Sequence, residues 1–230
     1  MRRFEKQELR GFDDRDSGAV YEDVEFHKCV FDDFVLSCTR QPPLRTTFRR
    51  ILVSDCSVRS GALFSAVVED SAVVNLKVRG LFQAWAAVFR HVTLRGRVGR
   101  LMLSDIPFPF REDVEAEGAF REANARFYET TDWALDITEA EFEELDIRGI
   151  PARQIRRDPV TQVVVTREKA MQGAWRSLDL SRSHVDAWIK GMLAEGYPDV
   201  VIAAPKRHRN FRHVVEDLQR LRDIGVAELD

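Results

Sequence analysis

The chain has 230 residues, 44% of them hydrophobic, and carries 35 Lys and Arg against 38 Asp and Glu for a formal net charge of −3. That is apolar content enough for one or two packed domains, and a charge so nearly balanced that it recommends neither a membrane surface nor direct nucleic-acid binding. No run reaches the length of a membrane span, the first eighteen residues lack the apolar stretch of a signal peptide, and three cysteines without zinc-type spacing read as buried reduced thiols, so a cytoplasmic protein is expected.

Residues 1–18 alternate in charge and are expected to supply a leading strand or turn that covers the first repeating segment. Ala19-Val-Tyr21, Val24-Glu-Phe26, Cys29-Val-Phe31 and Phe34-Val-Leu36 then place a small or apolar residue, and a bulky one two positions later, at intervals of five. Residues 39–45, with Gln41-Pro42-Pro43, interrupt the period and read as a loop. From Thr46 to Phe110 the pattern runs without a slip. Thr46, Ile51, Cys56, Gly61, Ala66, Ser71, Leu76, Leu81, Ala86, His91, Gly96, Leu101 and Ile106 are mostly small or apolar. Phe48, Val53, Val58, Leu63, Val68, Val73, Val78, Gln83, Val88, Thr93, Val98, Leu103 and Phe108 are nearly all bulky and apolar. In this register His91 is a hydrogen-bonded core histidine. A period of five suits neither the 3.6 of a helix nor the 2 of a strand. One side of a square coil holds it, with both residues of each unit pointing inward. Four units then close a coil of about twenty residues, and coils stack at about 4.8 Å.

Pro107 and Pro109 end the run, and residues 111–134, with Phe120, Phe127 and several alanines, read as a helical insertion. Leu135-Asp-Ile137, Ala140-Glu-Phe142, Leu145-Asp-Ile147 and Ile150-Pro-Ala152 restore the period for one more coil. Beyond Gln154 it is lost. Val160 to Val165 reads as a strand, Glu168 to Leu178 as a helix, and Val185, Trp188, Ile189, Met192 and Leu193 as an apolar helical stripe behind a Ser181 or Ser183 cap. Val200 to Ala204 reads as a buried strand, and Phe211 to Ile224 as an amphipathic helix capped by Asn210 and closed by Gly225. Residues 155–230 are thus expected to form a small α/β appendage.

Of these units Ala140-Glu-Phe142 carries the pattern most fully, and with its neighbours the chain resembles the pentapeptide-repeat proteins. The resemblance implies a mainly β solenoid over residues 1–154, a right-handed quadrilateral β-helix, with the loop and the helical insertion projecting from it. Some bacterial members of that family mimic DNA and bind DNA gyrase through an acidic rod, usually dimeric through C-terminal elements. Arg59, Arg79, Arg97 and Arg100 depart from such a surface.

Four units to a coil also sort the outward residues into faces. Arg59, Lys77, Arg79, Arg97 and Arg100 fall on one face as a basic stripe, the expected contact for an acidic protein partner. Two other faces carry Ala62, Phe64, Phe82, Trp85 and Met102, and Leu52, Ala72, Val74, Val92 and Leu94. They need cover from the insertion and appendage or from a second molecule, which leaves a homodimer open. Lys206, Arg207, Arg209 and Arg212, with His208 and His213, run from the loop before the last helix into its first turn, where an anion could sit. No glycine-rich phosphate loop, G-x-S-x-G or H-E-x-x-H motif is present. His213 with Glu216 or Asp217 has the helical spacing of two metal ligands, but no metal or cofactor site is assigned. The expectation is a non-enzymatic protein-binding module, an immunity or regulatory protein among the options, with a DNA-mimicking gyrase binder as the alternative.

Overall fold

The computed structural model describes residues 1–108 and 110–228; Pro109, one of the two prolines expected to end the repeat, and Leu229 and Asp230 lie outside the described residues. Strands dominate. Fourteen of them form one sheet in which every pairing is parallel: β1 (Arg2–Glu5), β2 (Glu8–Arg15), β3 (Val20–His27), β4 (Val30–Cys38), β5 (Thr47–Ser54), β6 (Ser57–Val58), β7 (Ala62–Phe64), β8 (Val67–Glu69), β9 (Ala72–Trp85), β10 (Val88–Arg90), β11 (Val92–Ser104), β12 (Leu135–Asp136), β13 (Ala140–Ile147) and β14 (Ile155–Arg156). The ring of strands is built in tiers. Thr47 pairs with Val67 and Ser57 with Lys77, a step of 20; Val67 pairs with Val88 and Ala72 with Thr93, a step of 21.

Two insertions lengthen that step. Val20 pairs with Thr47, 27 residues on, because residues 39–45 bulge out around a short 3-10 turn at Pro42–Leu44. Val92 pairs with Leu135, 43 residues on, because helix α1 (Val114–Glu129) intervenes, capped by the Asp113 carboxylate, which accepts the Ala116 N–H. The helix lies over β10. Phe89 donates its N–H to the Tyr128 hydroxyl, and the Arg90 guanidinium sits 4.6 Å from the Phe127 ring centre.

What bends the chain between sides is a backbone feature repeated every five residues. Lys6, Gly11 and Asp16, then Asp23, Lys28 and Asp33, then Arg50 and Asp55, then Ser65, Asp70, Asn75 and Gly80 all have φ in the left-handed region. Asp, Asn and Gly tolerate it best, because a short polar side chain or none avoids the Cβ–carbonyl clash. At Lys6, Lys28 and Ser65 the residue's own N–H donates to the next tier, to the carbonyls of His27, Ser54 and Trp85.

After Gly80 the corners fall at Ala86, His91 and Gly96 rather than at 85, 90 and 95. One additional residue has entered the tier, so the unbroken register does not survive. Ala86 and His91 are corners instead of inward positions, and Phe82, Ala87, Phe89, Val92 and Leu94 join the core or pack against it. Phe82, Val92 and Leu94 are therefore not outward residues. Gly61 shows how room is made: a Cβ there would lie 2.5 Å from the Phe34 ring, and Phe34 reaches Phe82 at 6.2 Å between ring centres. His91 packs on Trp133 and bonds Asp70 at 3.0 Å and Asp132 at 2.6 Å. Cys29 and Cys56 are neighbours across the ladder: the Cys29 N–H points at the Cys56 sulfur 3.3 Å away, and burial pushes the Cys56 thiol up to about 11. Cys29, Cys38 and Cys56 are all free.

Residues 1–18 do not cover the first tier. They form it: β1 pairs only with β3 and β2 only with β4. At the other end the ladder runs two residues past Gln154 into β14, and the C-terminal unit comes next. Its antiparallel pair, β15 (Gln162–Thr166) and β16 (Asp199–Ala203), is flanked by α2 (Arg167–Gln172), α3 (Val185–Glu195) and α4 (Phe211–Asp223). Val163, Val165, Ile189, Ile202, Leu218 and Leu221 fill one core, while Val164, Val201 and Ala203 face the other way and join the core of the ladder. This is the period-2 alternation of a strand buried on both faces. Ser183, not Ser181, accepts the Val185 N–H at the start of α3, and the Asn210 side chain makes no cap bond to α4. Among the described residues no helix is long and apolar enough to cross a membrane.

Candidate partner-binding surface

Arg59, Lys77, Arg79, Arg97 and Arg100 are all exposed on β6, β9, β11 and their corners. Pairing of Val58 with Val78 sets Arg59 beside Arg79, and the next tier brings Arg97 and Arg100 onto the same wall through two irregularities of register in β11. The ends of this stripe are neutralised. Arg59 binds Glu8 at 2.8 Å and lies 3.9 Å from Asp32, and Arg100 binds Glu144 at 2.8 Å. Arg97 pairs across the ladder with Glu141, but its guanidinium, like the side chains of Lys77 and Arg79, meets no carboxylate within 4 Å among the described residues. The centre of the stripe is thus three free cations on a rigid wall whose strands lie about 4.8 Å apart.

The C-terminal cations are not gathered into one site. Lys206 reaches Asp158 at 3.3 Å and Arg207 reaches Glu143 at 4.0 Å, so these two tie the segment before α4 to its neighbours. Arg209 and Arg212 project into solvent. His213 lies between Arg182, 2.6 Å away, and Glu216, 3.5 Å away. The expected anion pocket is therefore divided between two ion pairs and two solvated arginines.

Two features escaped the sequence. A cleft of about 290 Å³ opens between β13 and α3, lined by Asp146, Arg148, Trp188, Glu195, Tyr197 and Asp199. Its charges satisfy one another: Arg148 bonds Asp146 at 2.9 Å and also Glu195, and the Tyr197 hydroxyl donates to Asp105 at 2.7 Å. Burial pushes the Asp199 carboxyl up. Its lining comes from segments more than thirty residues apart, so no local motif marks it.

The second is Arg45, 8% exposed, whose guanidinium donates to the Ala86 carbonyl at 3.2 Å and to the Asn124 side chain and lies 4.8 Å from the Phe120 ring centre. Among the described residues no carboxylate compensates it and its Nε has no partner, and burial pushes it down to about 10. It rivets the loop at residues 39–45 to α1.

Among the described residues no group of three His, Cys, Asp or Glu side chains is placed to hold a metal ion. No known protein family, curated protein or solved structure matches the chain, so the surface must be read on its own chemistry.

Proposed function

We propose that residues 1–156 are a right-handed quadrilateral β-helix of the pentapeptide-repeat kind, and that the protein is a non-enzymatic binding module whose basic stripe meets an acidic surface on a protein partner. The helix reading is supported by left-handed corners five residues apart and by tier steps of 20 and 21. The observation that carries the function is the trio Lys77, Arg79 and Arg97, exposed and free of carboxylates while both ends of the same stripe are paired. Like charges on neighbouring strands cost stability. A partner's carboxylates would remove that cost and steer its approach. The sign of the stripe opposes the DNA-mimic alternative, which requires an acidic face.

The test is affinity purification with the wild type and with Arg79→Glu/Arg97→Glu, both checked for equal melting temperature. The wild type should retain a protein with an acidic patch, more weakly as salt rises because exposed charges are screened over about 8 Å at physiological ionic strength. The double reversal should lose it. A recovered partner that binds both forms equally would remove the stripe as the site.

A further inference from the structure

Among the described residues nothing lies on the outer edge of β1, of β2 or of the side around Val20 to Glu22, so this end of the ladder presents unpaired backbone N–H and C=O groups. Its floor is apolar. Phe4 stacks on Phe26 at 5.2 Å, with the Arg2 guanidinium 4.7 Å from its ring centre, and Tyr21 stacks on Phe48 at 5.6 Å, while Phe12 and Tyr21 remain 51% and 48% exposed. Met1, Phe12, Val20 and Tyr21 are four of the nine large hydrophobic residues exposed in the described chain.

We infer that this end binds a second copy of the chain, N-terminal tier to N-terminal tier. Two observations choose that occupant. The first is charge. Arg2, Arg3, Lys6, Arg10 and Arg15 stand against Glu5, Glu8, Asp13, Asp14 and Asp16, five of each, interleaved along the edge. A site for a strongly charged partner would show one sign, whereas a neutral, alternating edge is complementary to itself. Reversing Arg2-Arg3-Phe4-Glu5 against its copy sets Arg2 opposite Glu5, and reversing Glu8-Leu9-Arg10 sets Glu8 opposite Arg10. Either side can lie on a two-fold axis, across which strands run antiparallel.

The second observation is that the other end is closed, since Val164, Val201 and Ala203 of the C-terminal unit pack into the core of the ladder there. Head-to-tail addition, which would grow a fibre, has no second surface to use. Only the isologous contact remains, and it closes at two chains. The backbone groups of the edge are then satisfied by a strand.

Analytical ultracentrifugation of the full chain across a micromolar concentration series should give a monomer–dimer equilibrium and nothing larger. Phe12→Glu, at a half-exposed position, should raise the dimer dissociation constant about tenfold or more, as loss of a central apolar anchor does. In the wild type, hydrogen exchange of amides in residues 2–15 should slow as concentration rises, which decides the matter even if the variant folds poorly. Reversal of Arg79 and Arg97 should leave the dimer unchanged, so failure here and failure of the stripe are distinguishable. A single 26.5 kDa species throughout, a dimer indifferent to Phe12→Glu with no protection in residues 2–15, or growth beyond two chains would each overturn the inference.

Discussion

Phe4, Phe26 and Phe31, pointing into the ladder in its first two tiers, remain partly exposed, whereas Phe89, Leu135 and Phe142 near the other end are 7%, 1% and 2% exposed. The residue types are alike; what differs is what covers them, since Phe26 and Phe31 have a tier on each side whereas Phe89 and Phe142 have a tier on one side and α1 or the C-terminal unit on the other. In a globular core a side chain is enclosed from all sides by elements distant in sequence, but in a stacked ladder it is enclosed only by the tier above and the tier below. Burial here is completed where an element outside the ladder packs against it, as α1 and the C-terminal unit do around Phe89, Leu135 and Phe142. The C-terminal unit, with its own core of fully enclosed side chains, supplies the missing cover at one end and leaves the other without it.

The comparison is broken most directly by placing the same charge at both ends. Phe142→Asp should cost several kcal/mol, because an unpaired carboxylate enters a closed core, and Phe12→Asp, at a protein concentration well below the dimer dissociation constant, should change stability by about 0.5 kcal/mol or less as an exposed substitution does. Denaturant unfolding of the two variants checks this. Equal losses would mean that the first tier is as enclosed as the last.

A smaller effect is expected at Arg45, where cover is present but charge is unmatched. Replacing a buried, uncompensated cation by an apolar residue of similar length removes a desolvation cost, so Arg45→Met should be neutral or stabilising, while Asn124→Ala, which strips away an acceptor, should cost about 1–3 kcal/mol. The pH dependence has a definite sign. Burial holds the Arg45 guanidinium near 10 in the fold against its ordinary value of 12.5, so between these values the unfolded chain binds more protons and stability rises with pH. Alkaline melting curves should show that rise in the wild type relative to Arg45→Met.

The smallest effect belongs to His91, held above its ordinary value by hydrogen bonds to Asp132 and Asp70 against some loss of hydration. Its contribution is complete below the unfolded value of about 6.5 and disappears as pH rises through the higher folded value. With a third of the ring exposed, the loss should be about 0.5 kcal/mol or less. A melting temperature that falls across the histidine range in the wild type, and not in His91→Gln, would show it.

Much of the ladder was legible because the corners are chemical as well as geometric: aspartate, asparagine and glycine recur where φ turns positive, and small and bulky residues alternate between them. The slip near Gly80 was not legible. Arg79-Gly80-Leu81-Phe82-Gln83-Ala84 offers an apolar residue to the interior in either frame, so nothing in the residue types distinguishes a tier of twenty from one of twenty-one. The basic stripe survived that error because Arg59, Lys77 and Arg79 precede the slip and later irregularities in β11 return Arg97 and Arg100 to the same wall. The helices of the C-terminal unit are legible in their apolar stripes, but Lys206 and Arg207 look free in the sequence because their acids, Asp158 and Glu143, lie far away along the chain. Arg45 gave no warning at all, since its partners lie 41 residues on, at the Ala86 carbonyl, and 79 residues on, at Asn124 of α1.

The closed end also has a history in time. Residues 162–203 are translated after the tiers they cover, so a nascent chain holds a finished stack of parallel strands before the strand pair that seals it exists. At about 5–20 residues per second, the gap between completing β14 and completing β16 lasts roughly 2–10 s. For that interval a growing chain is open at both ends, and neighbouring chains on one message could join tip to tail as finished chains cannot. On the inference above, slower synthesis between Arg156 and Ala203 would lengthen the interval in which the C-terminal end of the ladder lacks its cover.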